Sequence, residues 1–246
     1  MKTHIITKEQ LDSNNNYIGK IDVSSFDGTL KAGSGLGIIR FTSIRVTGSI
    51  IFEAGSGIKA GSGIEAGWGI EAGWGIEAGW GIEAGNGIKA GNGIKAGLGI
   101  KAGLGIKAGW GIKAGNGIKA GLGIKAGEGI KAGGGIKAGL GIKAGGGIEA
   151  DEGIEAGGGI KAGEGIEAGL GIEADEGIEA GGGIEADWGI EAGLSIKCKF
   201  IAAELRIFAG ICNWKIPSDD EMQIVTQELR RGTITLGKLI IIKGGE

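Results

Sequence analysis

Between Gly57 and Leu194 an isoleucine recurs at every sixth residue, an alanine follows two places behind it, and a lysine or glutamate always stands between them. Two apolar positions around one charged position is strand alternation: Ile58 and Ala60 face one side and Lys59 the other. The full unit, Gly-Ile-(Lys/Glu)-Ala-Gly-x, is written twenty-three times without insertion or deletion. A helix is excluded, because two or three glycines in every six residues would cost about 1 kcal/mol each. Ile-x-Ala is also too short for an independent antiparallel pair, and no single unit can bury its apolar side alone. The pattern therefore predicts an all-β fold, a parallel β-solenoid. Each short strand stacks on its equivalent one coil later, about 4.8 Å away, with Ile on Ile and Ala on Ala. The glycines are expected to turn the corners at backbone angles that other residues resist.

Coil size is open between two and three units. Three units give a three-sided coil of 18 residues and an array about 37 Å long; two give a flat coil of 12 residues and about 55 Å. From Glu128 onward, glutamate at the sixth position occurs at Glu128, Glu152, Glu164 and Glu176, all multiples of twelve apart, and Asp151, Asp175 and Asp187 share one twelve-residue phase. That favours two sides, although a twelve-residue duplication would leave the same trace. Against it, a two-sheet core of Ile and Ala alone is thin and would want disulfides. The three-sided coil is preferred.

The array divides the chain into residues 1–56, an N-terminal cap with lead-in coils, residues 57–194, the solenoid, and residues 195–246, a C-terminal capping or interaction region. Leu30-Lys31-Ala32 is already a degenerate unit, and Ile38 to Val46 and Ser49 to Phe52 read as β. Thr7 to Asn14 reads as a loop or short helix. After Leu194 bulky residues replace glycine, predicting strands over Ile196–Ile201 and Leu205–Cys212 that thicken into a cap over the last coil. Ser218-Asp219-Asp220-Glu221 is a capping-box pattern, predicting a short helix to about Arg230. Thr233–Leu236 and Leu239–Lys243 would form a final strand pair.

Composition narrows the classes. With 59 Gly, the collagen reading fails because the glycine spacings alternate four and two. Linker-like disorder lacks a large aliphatic residue at fixed intervals. No apolar run approaches the roughly 18–20 residues of a membrane span, and the N-terminal residues turn polar too soon for a signal peptide. The expectation is a cytoplasmic protein with no membrane partner. Its two cysteines, Cys198 and Cys212, read as reduced thiols. One histidine and scattered serines assemble no catalytic triad, no ligands stand at metal-finger spacing, and no Gly-Lys-Ser/Thr follows a strand. Neither an enzyme, a cofactor, a bound metal nor a small-molecule substrate is expected.

Charge carries more information. The third position runs through Glu65, Glu71, Glu77 and Glu83, then ten consecutive lysines from Lys89 to Lys143, then mostly glutamate to Glu191. The candidate basic belt is Lys101, Lys107, Lys113, Lys119 and Lys125. The candidate acidic band is Glu167, Glu173, Glu179, Glu185 and Glu191. Like charges stacked about 5 Å apart cost about 0.8 kcal/mol per pair in water before screening, a cost that alternating signs would avoid. Trp68, Trp74 and Trp80 are consecutive sixth-position residues and would occupy all three corners of one three-sided turn; exposed aromatics beside charge mark binding surfaces. Ten lysines in succession also survive while the sixth position varies freely, so the block is not a set of fresh copies.

The array from about Ile51 to Leu194 resembles uncharacterised Gly-Ile-Lys/Glu-Ala-Gly repeat proteins of bacteria and their phages, and is distantly similar to bactofilin-like and hexapeptide solenoids. It departs from the hexapeptide acyltransferases: Trp68, Trp74 and Leu98 fall where their small residue belongs, and the one histidine, His4, lies outside the array. The resemblance carries over no functional residue. Two functions are expected to compete. One is a non-enzymatic binding protein presenting rigid charged bands to a protein or nucleic acid, as a phage-encoded nucleic-acid mimic that inhibits host defence would. The other is a self-assembling or adhesive structural solenoid, which would make the chain a homo-oligomer.

Overall fold

The computed structural model describes residues 1–243, in two compact units, Met1–Gly127 and Glu128–Glu246. Each unit is a three-sided parallel β-solenoid with about 18 residues per turn. In the first unit the strand Ile82–Ala84 lies parallel between Ile64–Ala66 and Ile100–Ala102, with Ile82 beside Ile64 and Ile100. In the second unit Ile166–Ala168 lies between Ile148–Ala150 and Ile184–Ala186 in the same register. The twelve-residue phase is thus not a coil period. It places Glu152, Glu164 and Glu176 on three different corners, so its trace belongs to the sequence and not to the stack.

Ile and Ala alone suffice because of how they pack. Every repeat isoleucine is at most 1 % exposed and nearly every repeat alanine at most 3 %, so the interior is two stacked columns per face with no room for water. Backbone groups are satisfied between coils, as where Gly97 N donates to Ala78 O at 3.0 Å, Leu98 N to Trp80 O at 3.0 Å, and Ile76 N to Gly93 O at 3.0 Å. Among the described residues no buried side-chain polar atom lacks a partner.

The glycines are needed for a different reason from the one expected. Left-handed glycines are Gly35, Gly37, Gly55, Gly210, Gly232 and Gly237, all outside the repeat array. What constrains the fifth position is close approach. A Cβ on Gly97 would stand 1.9 Å from Gly79 O of the coil before, whereas one on the first-position Gly99 would stand 3.2 Å from Gly117 O.

The first unit opens with Lys2–Ile6 beside Gly28–Ala32, and coils from Leu30 onward stack as predicted. Thr7 to Asn14 contains one 3-10 turn, Lys8–Gln10. The chain between these strands runs alongside the next coil through parallel bridges, Asn16 with Arg40 and Phe26 with Val46: Tyr17 N donates to Arg40 O at 2.9 Å and Phe26 N to Arg45 O at 3.0 Å. Leu11 and Val23 are buried there. An aromatic chain runs inward from His4, which contacts Tyr17 and Phe26, through Tyr17–Phe41 to Phe41–Phe52. Burial lowers the His4 pKa, and its Nε2 lies 2.9 Å from the Tyr17 hydroxyl, so this histidine belongs to the aromatic packing of the first coil.

The tail departs from expectation. Residues after Leu194 do not lie across the last coil; they prolong it. Ile196–Lys197 stacks on Ile178–Ala180. The ten-residue strand Phe200–Ala209 bends over two faces, pairing Ile201 with Ile184 and Ile207 with Ile190. Gln223–Thr226, Glu228–Leu236 and Lys238–Ile241 add the next layers, each parallel to the strand before it. The predicted final pair therefore does not pair with itself. The predicted helix is only a 3-10 turn, Asp219–Met222. Its capping box does form: Ser218 N donates to Glu221 Oε2 at 3.0 Å, and with Lys215 hydrogen-bonded to the same carboxylate the Glu221 pKa falls to about 2. Helix gives way to strand because Gln223 onward alternates Ile224 and Thr226 into the core. Residues 244–246, the end of the predicted cap, lie outside the described residues.

Candidate binding surfaces: charged columns and corner tryptophans

Because strands stack in register, third-position charges from every third unit form columns on a flat face. In the first unit Lys89, Lys107 and Lys125 form one column, so Lys107 has lysine both above and below. Lys95 and Lys113 share a second face, and Lys101 and Lys119 a third. The five lysines of the predicted belt are thus distributed around all three faces.

The edge of the lysine block is tied to the acidic units before it. Lys89 Nζ lies 2.5 Å from Glu71 Oε1, Lys101 Nζ 2.8 Å from Glu83 Oε1, and Arg45 Nη2 2.8 Å from Glu65 Oε2. The hydrogen bond that Lys101 donates to Glu83 raises the Lys101 pKa. These pairs are half exposed, and such pairs contribute about 0–1 kcal/mol each. The two lysine pairs join residues 18 apart, a spacing invisible until the coil size is known.

In the second unit Glu149, Glu167 and Glu185 form one acidic column headed by Lys131. Glu155, Glu173 and Glu191 form another, headed by Lys137. Lys131 and Lys137 pair with Glu149 and Glu155. Glu179 does not join these columns. It stands between Lys161 and Lys197, with Lys161 Nζ 2.8 Å from its Oε2. The expected band is thus two acidic faces and one mixed face. Glu173 registers the crowding: partial burial, with Glu191, Glu155 and Asp175 adding repulsion, raises its pKa.

Trp68, Trp74 and Trp80 do occupy three different corners, at 56 %, 43 % and 62 % exposure. They point into solvent, so inward packing at a wide corner is ruled out. Being on separate edges, they form no common platform. Sequence reasoning missed a better aromatic. Leu170, Trp188 and Leu205 stack along one corner, with Trp188 N donating to Leu170 O at 3.3 Å and Leu205 N to Trp188 O at 2.8 Å. This corner lies between the two acidic faces and also carries Asp151, Glu152 and Asp187. Trp188 is 59 % exposed. The signal was the 18-residue spacing of Leu170, Trp188 and the acids flanking them.

Among the described residues no cluster of His, Cys, Asp and Glu is arranged to hold a metal ion, and no helix is long and apolar enough to cross a membrane. Cys198 is buried and hydrogen-bonded to Thr226 Oγ1 at 3.7 Å; desolvation pushes its thiol up to about 11, so it is no nucleophile at neutral pH. No protein-family model, curated protein or solved structure matches this chain.

Proposed function

We propose that the chain is a non-enzymatic binding protein that presents its acidic second unit to the basic site of a nucleic-acid-binding protein, acting as a nucleic-acid mimic and inhibitor. The observation that carries this reading is linear charge density. One turn of the coil, residues 173–190, holds six carboxylates and no cation. With Glu179 tied to Lys161, five remain over a rise of about 4.8 Å, or about 1 Å of axis per charge. Duplex DNA carries one charge per about 1.7 Å. A surface that accumulates lysine and arginine to meet phosphates would meet at least as dense an anionic field here. The carboxylates stand on a backbone fixed by inter-coil hydrogen bonds, so little ordering entropy opposes binding.

Trp188 adds a stacking face for an arginine guanidinium between the two acidic columns. The adhesive reading is less favoured, because Trp68, Trp74 and Trp80 share no surface. Direct nucleic-acid binding by the lysine columns of the first unit is the second reading, favoured by the uninterrupted column Lys89, Lys107 and Lys125. Fluorescence anisotropy with a labelled duplex distinguishes them. Mimicry predicts that the chain displaces duplex from a DNA-binding protein without holding it. Direct retention of the duplex by the chain would overturn mimicry.

A further inference from the structure

The two terminal coils are finished differently. In the first, the segment between Ile6 and Gly28 buries Leu11 and Val23. The last, residues 223–242, is open among the described residues. Leu239 continues the isoleucine column beneath Ile224, and Ile241 lies beneath Thr226, yet Leu239 is 37 % and Ile241 53 % exposed where the residues above them are fully buried. Leu236 and Ile242 are exposed beside them, at 41 % and 45 %. The backbone is open too. Ile242 N donates back to Thr226 O at 2.9 Å, so by strand alternation the N–H groups of Leu239 and Ile241 point off the end of the coil. An unpaired edge above an exposed core is a template for another strand.

From this we infer that the open coil docks against the same coil of a second copy, forming a closed two-fold dimer. Three observations select a second copy. First, on two of the three faces the charged columns end here: the outward positions continuing them are Val225 then Ile240 on one face and Phe208 then Leu236 on another, while the third runs through Ala202 to Arg231. Second, when Glu228–Leu236 runs antiparallel to its own copy about Gly232, Arg230 faces Ile234 and Arg231 faces Thr233, so no arginine opposes arginine. Third, the coil offers about 20 residues, the low end of the 20–30 per partner that a stable interface of about 800 Å² a side employs. An isologous contact uses up this open edge in both copies, so the contact closes at two.

Light scattering on the full chain after size exclusion, from 1 to 50 µM, tests this. The expected mass is twice the 24.6 kDa of one chain. Ile241→Lys, which leaves the bond of Ile242 in place, should raise the dimer dissociation constant at least tenfold with unchanged β circular dichroism; Ile242→Lys serves if the first variant loses its fold. Ile5→Lys, about equally exposed but on the first coil, should leave the dimer intact. A wild-type chain of single mass at 50 µM overturns the proposal. So does a mass growing beyond two copies, or a dimer that Ile5→Lys dissociates and Ile241→Lys does not.

Discussion

Alanine at the two kinds of repeat glycine should have opposite consequences, and Gly97 and Gly99 are the pair to compare. At Gly97 the new methyl group would meet Gly79 O at 1.9 Å. Ordinary contact needs about 3.4 Å, so the two coils must part by over 1 Å beside the hydrogen bond from Gly97 N to Ala78 O, now 3.0 Å. Overpacking of this kind costs about 1–3 kcal/mol. Restricting the unfolded chain returns about 0.4–1 kcal/mol. The net expectation is a loss of up to about 2.6 kcal/mol. At Gly99 the methyl would lie 3.2 Å from Gly117 O, a gap that a shift of a few tenths of an ångström opens, so the same unfolded-state term leaves this variant neutral or more stable by up to about 0.5 kcal/mol. Asp151, Asp175 and Asp187 bound the effect: each carries a Cβ at this position and retains its bond to the alanine one coil back, at 3.1, 3.0 and 3.2 Å, so the stack can open around a side chain with that bond intact. The assay is urea unfolding followed by circular dichroism, comparing midpoint and slope, since a repeat array can lose two-state behaviour. A Gly97→Ala protein as stable as Gly99→Ala would refute close approach as the reason for the fifth-position glycine.

Ile100→Ala removes a side chain 1 % exposed and should cost about 2–5 kcal/mol, read from the same unfolding curves. Glu173→Gln should stabilise the chain at pH 7 by on the order of 0.5 kcal/mol, a small figure because the side chain is largely solvated. Since the folded pKa of Glu173 is raised, its penalty is complete above that pKa and fades as pH falls through it, so thermal melts of the two proteins should converge towards pH 4. Glu221 works with the opposite sign: its contribution is present at neutral pH and is lost only as pH falls towards about 2. Gln at Lys101, Lys107, Lys113, Lys119 and Lys125 should leave displacement of duplex from a DNA-binding protein within twofold of wild type, and Ser at Trp68, Trp74 and Trp80 should do the same; a tenfold loss from either set, measured by anisotropy, would move the site to the first unit.

Much of the fold was legible because one physical signal repeats: Ile-x-Ala alternation requires a strand, and its six-residue recurrence requires a stack. Coil size was harder, since hexapeptides close two- or three-sided coils alike and the longer period visible in the sequence, twelve, is not the period of the stack. That ambiguity hid the site. Glu173 and Glu179 look equivalent along the chain, yet 18-residue stacking puts one in an acidic column and the other beside Lys161. Trp188 looked isolated until the same spacing set it between Leu170 and Leu205. The tail misled for a separate reason. Ser218 to Glu221 carries a genuine capping box, but local hydrogen bonds reach only one turn, and burial of Ile224 and Thr226 makes the next residues a strand.

Mimicry is tested most directly by displacement of a labelled duplex from sequence-nonspecific DNA-binding proteins, titrated with the wild-type chain and with the variant carrying Gln at Glu167, Glu173, Glu179, Glu185 and Glu191, from 50 to 300 mM salt. The account predicts that wild type displaces the duplex, with the logarithm of its affinity falling linearly with the logarithm of salt, and that the variant is at least tenfold weaker while melting no lower than wild type. Displacement that ignores salt and the five substitutions, or none by the wild-type chain at 50 mM salt, would contradict it.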